Sequence, residues 1–195
     1  MSNDTQSVYI PYTIPDDSCS RINVRNYRIV DTDHTYSIMN YDKDMICYGE
    51  QEHVTQCRSV ICSHPNKSLL SYSPGQSITN ALFTEKHGDN CSDIYVNEYI
   101  EGSMINLFYD NRYKTWEIAT KRAVGGKYYF SKQDEGKHLQ KKTVLSMFLD
   151  AFREDQTALS NIAALEYFPK QYSYSFVIQH PDNLIIYPII SPTLY

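Results

Sequence analysis

Apolar and polar residues alternate with a period of two through NVRNYRIVDTDHTYSIMNYD, where Tyr27 and Ile29 precede an Asp-rich turn and Tyr36 and Ile38 follow it. Side chains two apart on a strand share a face, so the pattern predicts a β-hairpin. CRSVICSHPNKSLLSYSP repeats the design: Val60 and Ile61 enter a turn at His64 to Lys67, and Leu69, Leu70 and Tyr72 return. DIYVNEYIEG and MINLFYDNRYKTWEIATKRA predict further strands, interrupted at Gly102-Ser103 and at the polar run Asp110 to Lys114. The period then changes. Leu145, Phe148, Leu149 and Phe152 recur at i, i+3, i+4 and i+7, which predicts an amphipathic helix over Glu135 to Arg153, with a shorter helix over Gln156 to Leu165 before Pro169. YSYSFVIQHPDNLIIYPII reads as a strand, a Pro-Asp-Asn turn and a second strand. Strands, then helices, then strands predict an α+β fold with mainly antiparallel pairing. Residues up to Asp17, punctuated by Pro11 and Pro15, read as an extended arm, which leaves 18–195 as one domain.

Composition adds a surface to this outline. A chain of 195 residues with 42% hydrophobic content is long enough for one sizeable core. Its 18 tyrosines favour strands, because the ring packs while the hydroxyl stays hydrated. The net charge of −5 weakens any long, non-specific grip on a phosphate backbone, although basic residues gather between Arg112 and Lys142. The five cysteines contain no Cys-x-x-Cys pair, the N-terminus lacks a leader pattern, and no apolar run reaches the ~20 residues of a membrane span. A reduced, intracellular, cytoplasmic protein without membrane contact is expected.

Adenylation of a nucleic-acid end requires a nucleophile for the α-phosphate, a nearby carboxylate and room for close backbone approach. A strand ending in Lys-x-Asp/Glu-Gly supplies all three, because residues two apart face the same way and glycine permits the turn. In NEYIEGSMINLFYD, Tyr99 and Glu101 occupy those positions and Gly102 follows, so the spacing is present with tyrosine in the nucleophile's place.

EYIEGSMINLFYD, then WEIATKRA, then YSFVIQHPDNLIIYPI, in that order, resemble the nucleotidyltransferase domain of phage-type RNA ligases, particularly the divergent ligase-like proteins of large DNA viruses. Upstream, QCRSVICSHPNKSLLSYSPGQSI resembles the Arg-containing strand, with Arg58, and the turn before the adenylation strand; Gln76 stands where the viral relatives carry lysine. The resemblance runs from about Tyr36 to Tyr195. It implies the ATP-grasp-like fold of the ligase and capping-enzyme superfamily and ATP-dependent adenylyl transfer in RNA end joining or repair, with ATP and Mg2+ as cofactors. Tyr99 then replaces the adenylated lysine, Glu101 lies near the nucleotide ribose, and Gly102 and Ser103 form the turn. Lys121 or Arg122 faces the nucleotide or RNA, Arg58 contacts nucleic acid, and Phe176 stacks on adenine, with Val177 in place of the family's glutamate. Two further strands of the family, one acidic and one carrying lysines, have no counterpart before Tyr195, so the resemblance implies a fragment, a site completed by a second chain, or a reduced homologue that cannot complete the site alone.

A phenol and an amine face similar deprotonation costs near pKa ~10. A tyrosyl adduct would nevertheless lack the acid-labile P–N bond that makes the lysine adduct a ready AMP donor. The expected alternatives to an active ligase are therefore a silent pseudo-ligase that binds nucleotide or RNA, and a structural viral protein. Other constellations carry less. Cys57, Cys62 and His64 lack the fourth ligand of a zinc site, and Gly125-Gly126-Lys127 lacks Walker spacing, so a hairpin turn or bulge is expected there. The helix around Leu145 to Phe152 is expected to pack on its own sheet rather than on a partner.

Overall fold

In the computed structural model, residues 21–42, 52–88, 94–129, 142–154, 162–183 and 188–195 are described. The fold is α+β, with two antiparallel sheets. The first sheet has the order β1 (Ile22–Arg28), β2 (Thr35–Tyr41), β3 (Val60–Ser63), β4 (Leu69–Tyr72), a meander of the expected hairpins. The second has the order β7 (Ala123–Val124), β6 (Thr115–Thr120), β5 (Ser103–Asp110), β8 (Tyr174–Gln179), β9 (Thr193–Leu194). Three helices are described, α1 (Glu52–Thr55), α2 (Asn80–His87) and α3 (Val144–Glu154), with a 3-10 turn at Ile162–Tyr167.

Period-two patterning assigns each strand two jobs. Tyr36 and Ile38 of β2, with Ile29 and Ile61, meet Phe108, Ala119 and Val124 of the second sheet in one buried cluster, so the sheets pack face to face. Met39, Tyr41, Ile22, Val60 and Cys62 point the other way and are covered by Val54 and Cys57 of α1 and the turn after it. On the far side of the second sheet, Ile105, Leu107, Trp116, Ile118 and Ile178 receive Val144, Met147, Phe148, Ala151 and Phe152. The order of layers is α1, first sheet, second sheet, α3. The helical stripe is centred on Val144, Met147, Phe148 and Ala151; Phe148 and Phe152 are buried as the spacing predicts, while Leu145 and Leu149 lie half-buried at its rim.

The start of α3 explains the glycine pair. Gly125 and Gly126 adopt φ of 92° and 69°, and a Cβ on Gly126 would lie 2.5 Å from Ile118 Cδ1. The turn they form aims the Gly126 carbonyl at the Leu145 N–H (3.0 Å), and the Tyr128 carbonyl accepts from Val144 N–H (2.9 Å). Thr143 Oγ1 accepts from Ser146 N–H (3.2 Å) as the N-cap. The first donors of α3 are thus satisfied by protein carbonyls and a hydroxyl; the glycine pair follows β7 on the way to α3, and the hairpin turn of this region lies instead at Lys121-Arg122, between β6 and β7.

Several boundaries depart from the sequence pattern. DIYVNEYIEG is not a strand over its described residues: 94–101 take no part in either sheet, and β5 begins at Ser103. The final strand is short, with Thr193 and Leu194 opposite Gln179 and Ile178 and Tyr195 exchanging backbone hydrogen bonds with Val177 (3.0 Å each). The start of the domain at 18–20, the arm before it, residues 135–141 of the expected helix, residues 156–161 of the shorter one, Leu184 to Tyr187, and Cys19, Cys47 and Cys91 lie outside the described residues. Cys57 and Cys62 are buried and not in a disulfide, and burial pushes the Cys62 thiol up to about 11. Among the described residues no helix is long and apolar enough to cross a membrane.

Candidate anion-binding cleft

On the β1 side a cleft lies between the two sheets. Asn23 and Arg25 share a face of β1, and their cross-strand partners Asn40 and Ile38 share the same face of β2. This face looks toward the second sheet, whose β6–β7 turn carries Lys121 and Arg122. Together with Tyr41 and Asp42 at the end of β2, these residues line a cleft of about 450 Å3. Arg25 and Arg122 are exposed, and Lys121 Nζ lies 5.1 Å from the centroid of the Tyr41 ring, within cation–π range. Asn23 Nδ2 lies at 3.5 Å from Asp42 Oδ2, the outer limit of a hydrogen bond. The Asn40 Oδ1 atom is buried and has no hydrogen-bond partner among the described residues. An unpaired buried acceptor calls for a donor from water or a bound molecule. Three cations over an amide-lined floor suit a ligand that has anionic groups and also hydroxyl or amino donors.

The structure separates the other residues that the resemblance singled out. Tyr99 is 94% exposed on a segment outside both sheets, so it shares no strand face with Glu101. Glu101 is half-buried and its carbonyl accepts from Gln179 Nε2 (2.8 Å). Gly102 is required by packing: a Cβ there would lie 2.6 Å from the Ile178 carbonyl oxygen and 2.6 Å from Val177 Cγ1. Ser103 Oγ accepts from Asn183 Nδ2 (2.7 Å), which holds the turn after β8 against the start of β5. Phe176 faces the core, with ring centroids 5.7 Å from Phe148 and 6.0 Å from Phe168, and is not presented for stacking on a base. Arg58 sits between α1 and β3 and does not line the cleft. Of the expected binding residues, the cleft brings together Lys121 and Arg122. It adds Asn23 and Arg25 of β1 and Asn40 of β2, which sequence reasoning missed because they look like ordinary polar positions of alternating strands.

A second polar group lies at the opposite end of the interface between the sheets. Asp110, fully buried, receives Arg112 Nη2 (2.8 Å) and Nε (3.2 Å) and the Arg112 N–H (2.9 Å). Burial pushes the Asp110 carboxyl up, but the bonds and charge of Arg112 together outweigh it and leave the carboxyl below its usual range. Arg112 also donates to the carbonyls of His64 (3.1 Å) and Thr35 (3.2 Å), tying both hairpin turns of the first sheet to the second. The buried Tyr36 hydroxyl feels the Asp110 charge without meeting the geometry of a formed hydrogen bond, and burial raises its pKa far above the usual phenol value. His34 stacks on Tyr113 (3.9 Å) and its Nδ1 meets Glu117 Oε1 at 2.9 Å; burial nonetheless keeps the Glu117 carboxyl above its usual range. Apart from the Tyr36 hydroxyl, the polar groups here join turn to sheet, which makes the cluster a fastening between layers.

A third cluster surrounds His180, which is 2% exposed. Its Nδ1 accepts from Asp182 N–H (3.0 Å), and Asp150 lies 3.6 Å from Nε2 and 2.7 Å from Lys142 Nζ. Burial lowers the His180 pKa. Among the described residues no three His, Cys, Asp or Glu side chains form a metal-ligand set. Comparison with protein-family profiles, with curated proteins and with solved structures finds no match to this chain.

Proposed function

We propose that this chain is a ligase-like module that binds nucleotide or RNA in the cleft between its sheets and does not transfer adenylate by itself. The observation that carries the reading is the convergence of Arg25, Lys121 and Arg122 on one cleft, together with the unpaired Asn40 acceptor on its floor. Phosphate oxygens accept hydrogen bonds from the cations, while ribose hydroxyls or base amino groups donate to Asn40 and Asp42. The element order supports the reading. The EGSMINLFYD, WEIATKRA and YSFVIQ segments become β5, β6–β7 and β8 of one sheet. Within that order the residue in the nucleophile's place, Tyr99, stands in solvent, away from the cleft-lining residues. The Mg2+ chemistry implied by the resemblance finds no ligand set among the described residues, so no step is assigned to it.

Thermal melting with ATP, and fluorescence anisotropy with a short single-stranded RNA, test the reading directly. A ligand that binds only the folded state stabilises it by RT ln(1 + [L]/Kd), about 2.7 kcal/mol at a hundredfold excess over Kd. Binding should weaken with salt and fall in Lys121→Ala and Arg122→Ala. No response to either ligand would remove the binding reading. Covalent label from α-labelled ATP on the unaltered chain would instead make it an enzyme.

A further inference from the structure

We infer that residues 94–101 form a donor strand for a second copy of this chain, adding to the open edge of its β1. Two separate features point there. The first is an unsatisfied segment: Tyr95, Val96 and Tyr99 are 89%, 91% and 94% exposed, and among the described residues no backbone hydrogen bond holds 95–100. The residue types, with tyrosine, valine and isoleucine prominent, favour a strand. The second is an unsatisfied edge. Among the described strands β1 and β4 are the terminal ones of this sheet; β1 is the longer, at seven residues, and its side chains from Asn23 to Asn26 are exposed.

The charges of the two stretches match in sign and in spacing. The donor carries Glu98 and Glu101 and no cation; the edge, Arg21 to Arg28, carries three arginines and no acid. Glu98 and Glu101 are three apart, as are Arg25 and Arg28, so one parallel register sets Glu98 opposite Arg25 and Glu101 opposite Arg28. In that register residues 95–101 cover β1 from Ile22 to Arg28, its whole length. The antiparallel alternative with both charge pairs overlaps only Arg25 to Arg28 and then runs into the turn, where the Ile29 N–H is already held by the His34 carbonyl (3.0 Å). The faces agree as well, because an odd spacing on both strands puts the first pair on one side of the sheet and the second on the other. Opposite charges directly across a strand pair stabilise it, and main-chain bonds of strand addition supply the rest. Arg28 already pairs with Asp33 in solvent (2.6 Å), a contact weak enough to exchange.

The pairing cannot close within one chain. Arg28 lies at the end of β1 beside the turn that His34 and Tyr113 tie to Glu117 and the β5–β6 end of the second sheet. Glu101, its carbonyl held by Gln179, precedes the opposite end of β5. Glu117 pairs with Phe108, so the gap along β5 from Ser103 is roughly 17 Å at a strand rise of about 3.3 Å. A second molecule has no such restriction, and two copies can each lend a segment and accept one. Tyr95 and Tyr99 of both copies, at up to about 150–250 Å2 each, together with the paired strands, bring the contact toward the range of specific interfaces.

Light scattering coupled to size exclusion, on the full chain without added ligand, decides the matter. Concentration-dependent self-association that weakens with salt is expected, with Val96→Pro monomeric because proline removes a ladder donor. Glu98→Arg and Arg25→Glu should each be monomeric alone and associate when mixed, since mixing restores opposite charges at both exchanged strands. Unchanged melting temperatures would show that these exposed substitutions leave the fold intact. A monomer at all concentrations overturns the inference, as does association that survives Val96→Pro or fails to return on mixing. Ligand binding in the cleft is read separately, so either proposal can fail without the other.

Discussion

Replacing Arg112 by methionine keeps the aliphatic stem and removes every hydrogen bond of the guanidinium. The Asp110 carboxylate, at 0% side-chain exposure, then loses its charged partner and keeps the backbone N–H of residue 112, while the carbonyls of His64 and Thr35 lose the guanidinium that ties them to the second sheet. Breaking a buried ion pair by deleting one member costs about 3–5 kcal/mol. The Arg112 side chain is 29% exposed, so solvent takes up part of this, and about 3 kcal/mol is expected. The pH dependence is the sharper signature. In the wild type the Asp110 pKa is depressed, so its contribution is full above the unfolded value of about 3.9 and is lost as pH falls through the folded value. In Arg112→Met the N–H of residue 112 still reaches the carboxylate, but the guanidinium's bonds and charge no longer offset burial, so the folded pKa rises relative to wild type and the variant's deficit grows as pH rises through that range. The difference between the two proteins should therefore be largest at neutral pH and shrink on acidification. Urea unfolding at pH 7 and below pH 4 measures it. A loss under about 1 kcal/mol, or one independent of pH, would refute the account of Arg112 as the fastening between the sheets.

Glu117→Gln retains an acceptor for His34 and removes a carboxylate whose folded pKa is raised by burial. Such a group opposes folding once pH exceeds the unfolded value, so the variant should gain on wild type between about pH 4 and 7 in urea melts; a constant difference would sink the argument. Gly102→Ala should cost about 1–3 kcal/mol, because its Cβ would meet the Ile178 carbonyl and the strands must shift. An unchanged melting temperature would show that the turn yields freely. Thr79→Ala removes the N-cap of α2, whose Thr79 Oγ1 accepts from Leu82 N–H (3.3 Å). The helix has no buried residue, so hydrogen exchange in residues 80–87 should quicken while global stability stays unchanged; coupled loss of both would contradict its independence. Phe148→Ala, at the centre of the α3 packing, should lose about 3–5 kcal/mol in the same urea assay.

Local chemistry determined the strands and the long helix. Period-two runs with turn residues between them specified both hairpins of the first sheet and the pairing of β5 with β6, since a half-buried strand must alternate. The i, i+4 recurrence of Phe148 and Phe152 located α3 for the corresponding reason. Helix α2 left no such trace, because a helix that buries nothing needs no apolar stripe, and only Thr79 marks its start. The stretch from Ile94 to Glu101 carried strand-forming residues without a strand, because β propensity acts only where an edge receives it.

Tertiary structure decided which polar residues work together. Arg112, Asp110, His34 and Glu117 are drawn from separate turns and strands and meet because two turns of one sheet land on the end of another. Asn23, Arg25, Asn40, Lys121 and Arg122 become a cleft only when the two sheets stack and bring the β6–β7 turn to the β1 side. A one-dimensional pattern records which side of a strand is wet; which wet surfaces face each other depends on layer order and crossing, and these are set by the packing of both cores at once.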